Sequence, residues 1–169
     1  MADLVIYALR VGGGILALSP MPGGGGHYDQ DLEFLRDWKP ALVLSMTPEA
    51  ELAGAGAATL GADLQTMGTR WMHFPVPDFG TPAPRVAMNW PKMSRQILSA
   101  LNGGGRVLVH CMGGRGRSGM AVMRLMVEAG EDPSDALSRL RMVRPGAVET
   151  EAQWHWAKEG DRADEGEEE

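Results

Sequence analysis

The chain has 169 residues, 44% of them apolar, with a formal net charge of −6 at pH 7. That length and apolar content suit one domain with a core of its own, and a single cysteine excludes an internal disulfide and favours a reducing cytoplasm. No basic stripe interleaved with aromatic residues is present, so nucleic acid is not an expected partner, and four scattered histidines with one cysteine give no metal-ligand spacing.

Residues 4–9 and 14–18 read as two short strands joined through Gly12-Gly13-Gly14, an edge hairpin. This apolar stretch contains Arg10, lacks a basic leader and is too short to cross a bilayer, so no export signal or membrane span is expected. Residues 19–26 include four consecutive glycines and predict a mobile loop. Residues 29–38 carry Leu32, Phe34 and Leu35 among charges, as an amphipathic helix with acidic residues at its start and Pro40 beyond its end.

Residues 41–46 predict a buried strand. The order strand, helix, strand implies a parallel crossover, hence an α/β fold: a central, mostly parallel sheet of about five strands with helices on both faces. Thr47 reads as the N-cap of a short helix, with Pro48 at its first position. Residues 57–67 continue helically until Gly68, and residues 70–74 form the next strand. Residues 75–82 are too rich in proline for sheet or helix and predict an ordered surface loop, in which Asp78 is by local physics a turn former.

Residues 83–101 are mostly helical, with Asn89 as a cap before Pro91 and a buried stripe of Met93, Ile97, Leu98 and Leu101. The run Val107-Leu108-Val109 is a short buried strand ending at His110-Cys111. Beyond it, Met120, Met123, Leu125, Met126 and Val127 mark a helix apolar over a wide face, the expected central helix. Gly130 closes it, and Asp132-Pro133 opens another that turns Ala136, Leu137 and Leu140 inward. Thr150 and Gln153 have the spacing of a capping box. Seven of the 22 acidic residues lie in the last eleven positions. Residues 1–157 are therefore expected as one domain and 158–169 as an acidic, disordered tail.

Between strand and central helix the chain concentrates its chemistry. Gly113, Gly114, Gly116 and Gly119 let the backbone curl so that successive N–H groups face one point, and the helix starting near Ser118 adds unpaired donors and the positive end of a dipole. An anion belongs there. The same donors favour thiolate at Cys111, and Arg117, six positions on, offers a planar fork that matches two oxygens of a phosphate. The pattern is not a nucleoside-triphosphate loop, because arginine stands where that loop needs lysine.

The segment His110-Cys111-Met112-Gly113-Gly114-Arg115-Gly116-Arg117-Ser118-Gly119 resembles the His-Cys-x5-Arg-Ser/Thr signature of protein tyrosine phosphatases, in the small dual-specificity branch that includes the kinase-associated phosphatase. The resemblance implies a protein phosphatase with Cys111 as nucleophile and Asp78, 33 residues earlier, as general acid. The backbone of Met112, Gly113, Gly114, Arg115, Gly116 and Arg117 would hold the phosphoryl group with the Arg117 guanidinium. Ser118 would assist the departing sulfur, and His110 would order the loop. Arg144-Pro145-Gly146 resembles the family's turn before a helix whose glutamine positions water, so Gln153 has two competing readings. The chemistry calls for no cofactor. Phosphotyrosine, with phosphoserine and phosphothreonine as further targets, is the expected substrate on a protein, and a monomer is expected. Arg115 leaves open a phosphoinositide or other small phosphate ester, and a phosphate-binding module without turnover is a third reading.

Overall fold

Five short apolar runs become the strands of one sheet. The computed structural model describes residues 4–160. Its strands are β1 (Tyr7–Val11), β2 (Gly14–Ser19), β3 (Leu42–Ser45), β4 (Arg70–His73) and β5 (Arg106–His110), in the spatial order β1-β2-β5-β3-β4. Only β1 and β2 are antiparallel; β2 with β5, β5 with β3 and β3 with β4 are parallel. The expected α/β architecture is therefore present.

Alternation along the strands sends side chains to two cores. Leu42, Leu44, Val107 and Val109 face α5 (Trp90–Asn102), α6 (Arg117–Glu128), α7 (Pro133–Val143) and α8 (Glu151–Lys158). Val43, Leu108 and Ala17 face α1 (Tyr28–Trp38), α2 (Glu49–Gly54) and α3 (Leu60–Thr66). With both faces covered, the inner strands need no polar alternation. Helix α6 is buried along nearly its whole length, as a central helix must be.

Several local expectations are corrected. The first strand runs from Tyr7 to Val11 rather than over residues 4–9. The glycine-rich loop is pinned: Met21 N–H donates to the Met112 carbonyl at 3.0 Å, and Gly23 N–H to the Asp31 carboxylate at 2.8 Å. Pro48, not Thr47, holds the N-cap position of α2, in an extended conformation; Thr47 is buried and its carbonyl meets His73 Nε2 at 2.7 Å. The helical stretch after residue 83 divides into α4 (Pro84–Ala87) and α5, and Asn89 makes no side-chain cap bond. Phe34 is exposed on α1. Helix α8 continues through Lys158, and Gly160 is buried against Arg124 and Glu128, so folded chain extends past residue 157. The remainder of the expected tail, residues 161–169, lies outside the described residues. Among residues 4–160 no helix is long and apolar enough to cross a membrane.

Candidate active site

The parallel strands β3, β4 and β5 end at one edge, and the chain leaving each supplies part of one cleft. After β5 comes the loop 111–116, whose carbonyls are all held from outside. His110 Nδ1 lies 3.3 Å from the Cys111 carbonyl. The Met112 carbonyl accepts from Met21 N–H at 3.0 Å. The Arg144 guanidinium donates through Nη2 to Gly113 and through Nε to Gly114, at 2.9 and 3.0 Å. The Arg115 carbonyl accepts from Gly119 and Val148 N–H groups at 3.1 and 3.0 Å, and that of Gly116 from Met120 N–H at 2.9 Å.

Carbonyls turned outward leave the amides converging on the loop's centre. Gly114 N–H points to Cys111 Sγ at 3.3 Å. None of the described hydrogen bonds engages the N–H groups of Gly113, Arg115, Gly116, Arg117 or Ser118. Gly114 has φ +71°, and a Cβ there would come within 2.7 Å of Ser19 and Pro20 backbone atoms, so the bend requires glycine.

Cys111 is buried at the loop's centre, its Sγ 3.1 Å from Ser118 Oγ at the start of α6. Arg117 is 2% exposed. Its Nη1 and Nη2 grip the Glu51 carboxylate at 2.8 and 2.9 Å, Nη1 also donates to the Val76 carbonyl at 3.0 Å, and Nη2 lies 3.3 Å from Asp78 Oδ1. Burial works against the arginine's charge, but the Glu51 hydrogen bond and the charges of Cys111, Glu51 and Asp78 outweigh it, so its pKa sits above the usual value. Glu51 escaped the sequence reading. A buried arginine at the carboxyl ends of parallel strands demands a carboxylate, and the helix following β3 was the place to look.

Asp78 sits in a tight turn closed by Gly80 N–H to the Pro77 carbonyl at 2.9 Å. Its carboxylate also accepts from Phe79 N–H at 3.0 Å. Phe79 has φ +59° and is 59% exposed, an unusual conformation for a bulky residue. Gln153 lies behind this turn. Thr150 Oγ1 accepts its backbone N–H at 3.1 Å, so half of the capping box forms. Its carboxamide bridges elsewhere: Oε1 accepts from Glu149 N–H at 2.9 Å and Nε2 donates to the Gly80 carbonyl at 3.2 Å. Both Gln153 and Glu149 side chains also rest against Gly116. Arg115 is exposed and lies over Gly146.

His110 is fully buried beneath the cysteine. Trp71 Nε1 donates to Ser45 Oγ at 2.9 Å, so the serine proton is left for His110 Nε2, 2.5 Å away. That places the ring proton on Nδ1, facing the Cys111 carbonyl. Burial, with smaller contributions from His73 and Arg117 against the opposing Cys111 hydrogen bond, pushes the His110 pKa down to about 4, so the ring is neutral at physiological pH.

The catalytic-domain model of dual specificity phosphatases matches residues 30–162. The chain is 30% identical over 135 residues to mouse cyclin-dependent kinase inhibitor 3, covering 79% of this chain and 63% of that protein. The rat counterpart is 33% identical over 98 residues, covering 56% of this chain and 45% of that one. The chain thus spans between about half and two thirds of these curated relatives. Among solved structures it resembles kinase associated phosphatase with its catalytic-site cysteine changed to serine, at TM-score 0.81 and 22% identity over 93% of both chains. It also resembles the active form of Tk-PTP, at TM-score 0.72 and 31% identity over 90% of this chain and 95% of that one. A family model that takes in most of the chain, together with the fold and the sequence identity shared with these relatives, has one explanation: this chain belongs to the dual specificity phosphatase family.

Proposed function

We propose that the chain hydrolyses phosphate monoesters on proteins, phosphotyrosine foremost, through a cysteinyl-phosphate intermediate in a reducing compartment. The observation that carries this reading is the loop around Cys111, whose carbonyls are bonded from outside while Gly114 N–H meets the sulfur and the amides of Gly113 and of Arg115 to Ser118 have no partner among the described bonds.

In the first step the Cys111 thiolate attacks phosphorus and the P–O bond to the leaving group breaks. Asp78 gives its proton to that oxygen. The free amides and Arg117 hold the equatorial oxygens while charge spreads over them. In the second step water attacks phosphorus and Asp78 takes the water proton. The S–P bond breaks, its electron pair returns to sulfur, and the Ser118 hydroxyl donates to the thiolate. Gln153 fastens the acid turn to the phosphate loop, and its second Nε2 hydrogen is available to a water. Phe79, next to Asp78, and Met112, next to Cys111, are exposed apolar side chains of the kind that suits an aromatic ring.

Cys111→Ser should abolish hydrolysis of an aryl phosphate while preserving binding of a phosphate analogue; undiminished hydrolysis would sink the reading. Asp78→Asn should slow substrates with poor leaving groups by about 10²-fold and spare those with good ones.

A further inference from the structure

The sheet ends at β4 with one side open. β4 bonds to β3 through alternate residues, including Arg70 N–H to the Ala41 carbonyl at 3.1 Å, and Phe74 N–H beyond the strand bonds to the Ser45 carbonyl at 2.8 Å. The alternation of a parallel ladder turns the N–H and C=O of Trp71 and His73 the other way, where β4, the last strand of the sheet, has no neighbouring strand. Across a groove from this edge stand Asn89 and one side of α5, bearing Lys92, Gln96 and Ser99. The cavity at its His73 end is about 490 Å³.

The groove is basic in a chain that is net acidic. Arg70, Lys92 and Arg95 line it, no acidic side chain does, and none of the described ion pairs involves these three cations. Charges that merely guard an edge against aggregation project from the strand itself. Here only Arg70 is on the strand, while Lys92 and Arg95 come from the facing helix, with uncharged hydrogen-bonding groups between them. Past its His73 end the chain of β4 leads through residues 74–77 to the turn that carries Asp78, so one segment borders both the groove and the candidate site.

We propose that this groove docks an extended, acidic segment of the phosphoprotein substrate, which pairs with the free edge of β4 while its carboxylates meet Arg70, Lys92 and Arg95. The edge, at about 3.3 Å per residue, accommodates roughly four or five residues of such a segment. The identity of the occupant as substrate rests on the phosphatase reading above; the existence of an acidic docking site does not.

Two measurements separate these. In the first, a fluorescent, unphosphorylated peptide with a block of five Asp and Glu residues is titrated into the full chain and into the charge-reversed Arg70→Glu/Lys92→Glu/Arg95→Glu variant. The neutral variant with Gln at all three positions guards against misfolding, its thermal midpoint matching wild type. Wild type should bind about tenfold more tightly than either variant at low ionic strength, and the advantage should shrink with added salt. Equal binding by all three proteins overturns the docking site, as does unchanged protection of the Trp71 and His73 amides from hydrogen exchange when peptide is added. In the second, two phosphotyrosine peptides differ only in a linked acidic block or its Asn/Gln counterpart. The acidic block should lower KM several-fold with kcat unchanged in wild type alone, and all three proteins should hydrolyse a small aryl phosphate equally. Peptide binding without a KM difference overturns the substrate assignment and makes the occupant a non-substrate partner or this chain's own residues 159–169. Absence of any aryl phosphate turnover refutes the phosphatase reading and leaves the binding result to decide the groove.

Discussion

Glu51 holds both terminal nitrogens of Arg117, at 2.8 and 2.9 Å, from a helix 66 residues earlier in the chain. The grip fixes the plane of a guanidinium that is 2% exposed, while Glu51 is 26% exposed and reached by solvent. Removing one member of a buried pair costs about 3–5 kcal/mol, and the partial exposure argues for the lower end. Glu51→Ala should therefore lower stability by about 3 kcal/mol in urea denaturation. It should also reduce kcat/KM for an aryl phosphate by about 10²-fold, since a small displacement of a positioning group has that effect.

Arg144 should matter nearly as much without touching substrate. It holds the Gly113 and Gly114 carbonyls and stacks on Tyr7, whose hydroxyl lies 3.2 Å from Nη1. Lysine keeps the charge but not the fork. Arg144→Lys should weaken inhibition by inorganic phosphate by about tenfold, and adding Tyr7→Ala should cost less than the two single effects combined, because both act on one contact. Additive effects would show that Tyr7 works independently.

At Gly114 the loop tolerates no side chain. With φ +71° and a new Cβ 2.7 Å from the Pro20 nitrogen, Gly114→Ala must displace backbone. Turnover should fall by more than tenfold with a loss of roughly 1 kcal/mol or more of stability. Gly130→Ala, at φ +108° with open space around the added carbon, should be strained without affecting the cleft; comparable loss of turnover there would contradict the assignment.

His110 makes stability depend on acidity. Its folded pKa of about 4 lies below the 6.5 of the free side chain, so between those values the unfolded chain binds more protons. The contribution is complete above about pH 6.5 and falls away toward pH 4, by roughly 3 kcal/mol in all. Urea midpoints measured from pH 7 to pH 5 should decline more steeply for wild type than for His110→Gln. Parallel curves would mean that another group carries the dependence.

The fold and the loop were legible because their signals are local: apolar runs of strand length, glycines at helix ends, and a cysteine and arginine on one short loop. What escaped was set by partners far away in sequence. Thr47 has the chemistry of a cap, yet its carbonyl is taken by His73 and Pro48 occupies the position instead. The glycines of residues 22–26 suggest mobility only until Asp31 is seen to accept Gly23 N–H. Ser45 and Trp71 read as ordinary strand residues, although together they determine which nitrogen of His110 carries its proton. Gln153 had two readings, a capping box from spacing and a water-positioning role from the family resemblance, and neither foresaw a carboxamide reaching the Gly80 carbonyl.

The outward carbonyls of residues 112–116 have a thermodynamic consequence. Their bonds come from Met21, Arg144, Val148 and helix α6, all present before any ligand arrives. An incoming anion therefore meets amides already aligned and has no backbone to order. Its association should carry little conformational entropy penalty and leave the loop's hydrogen-exchange pattern nearly unchanged.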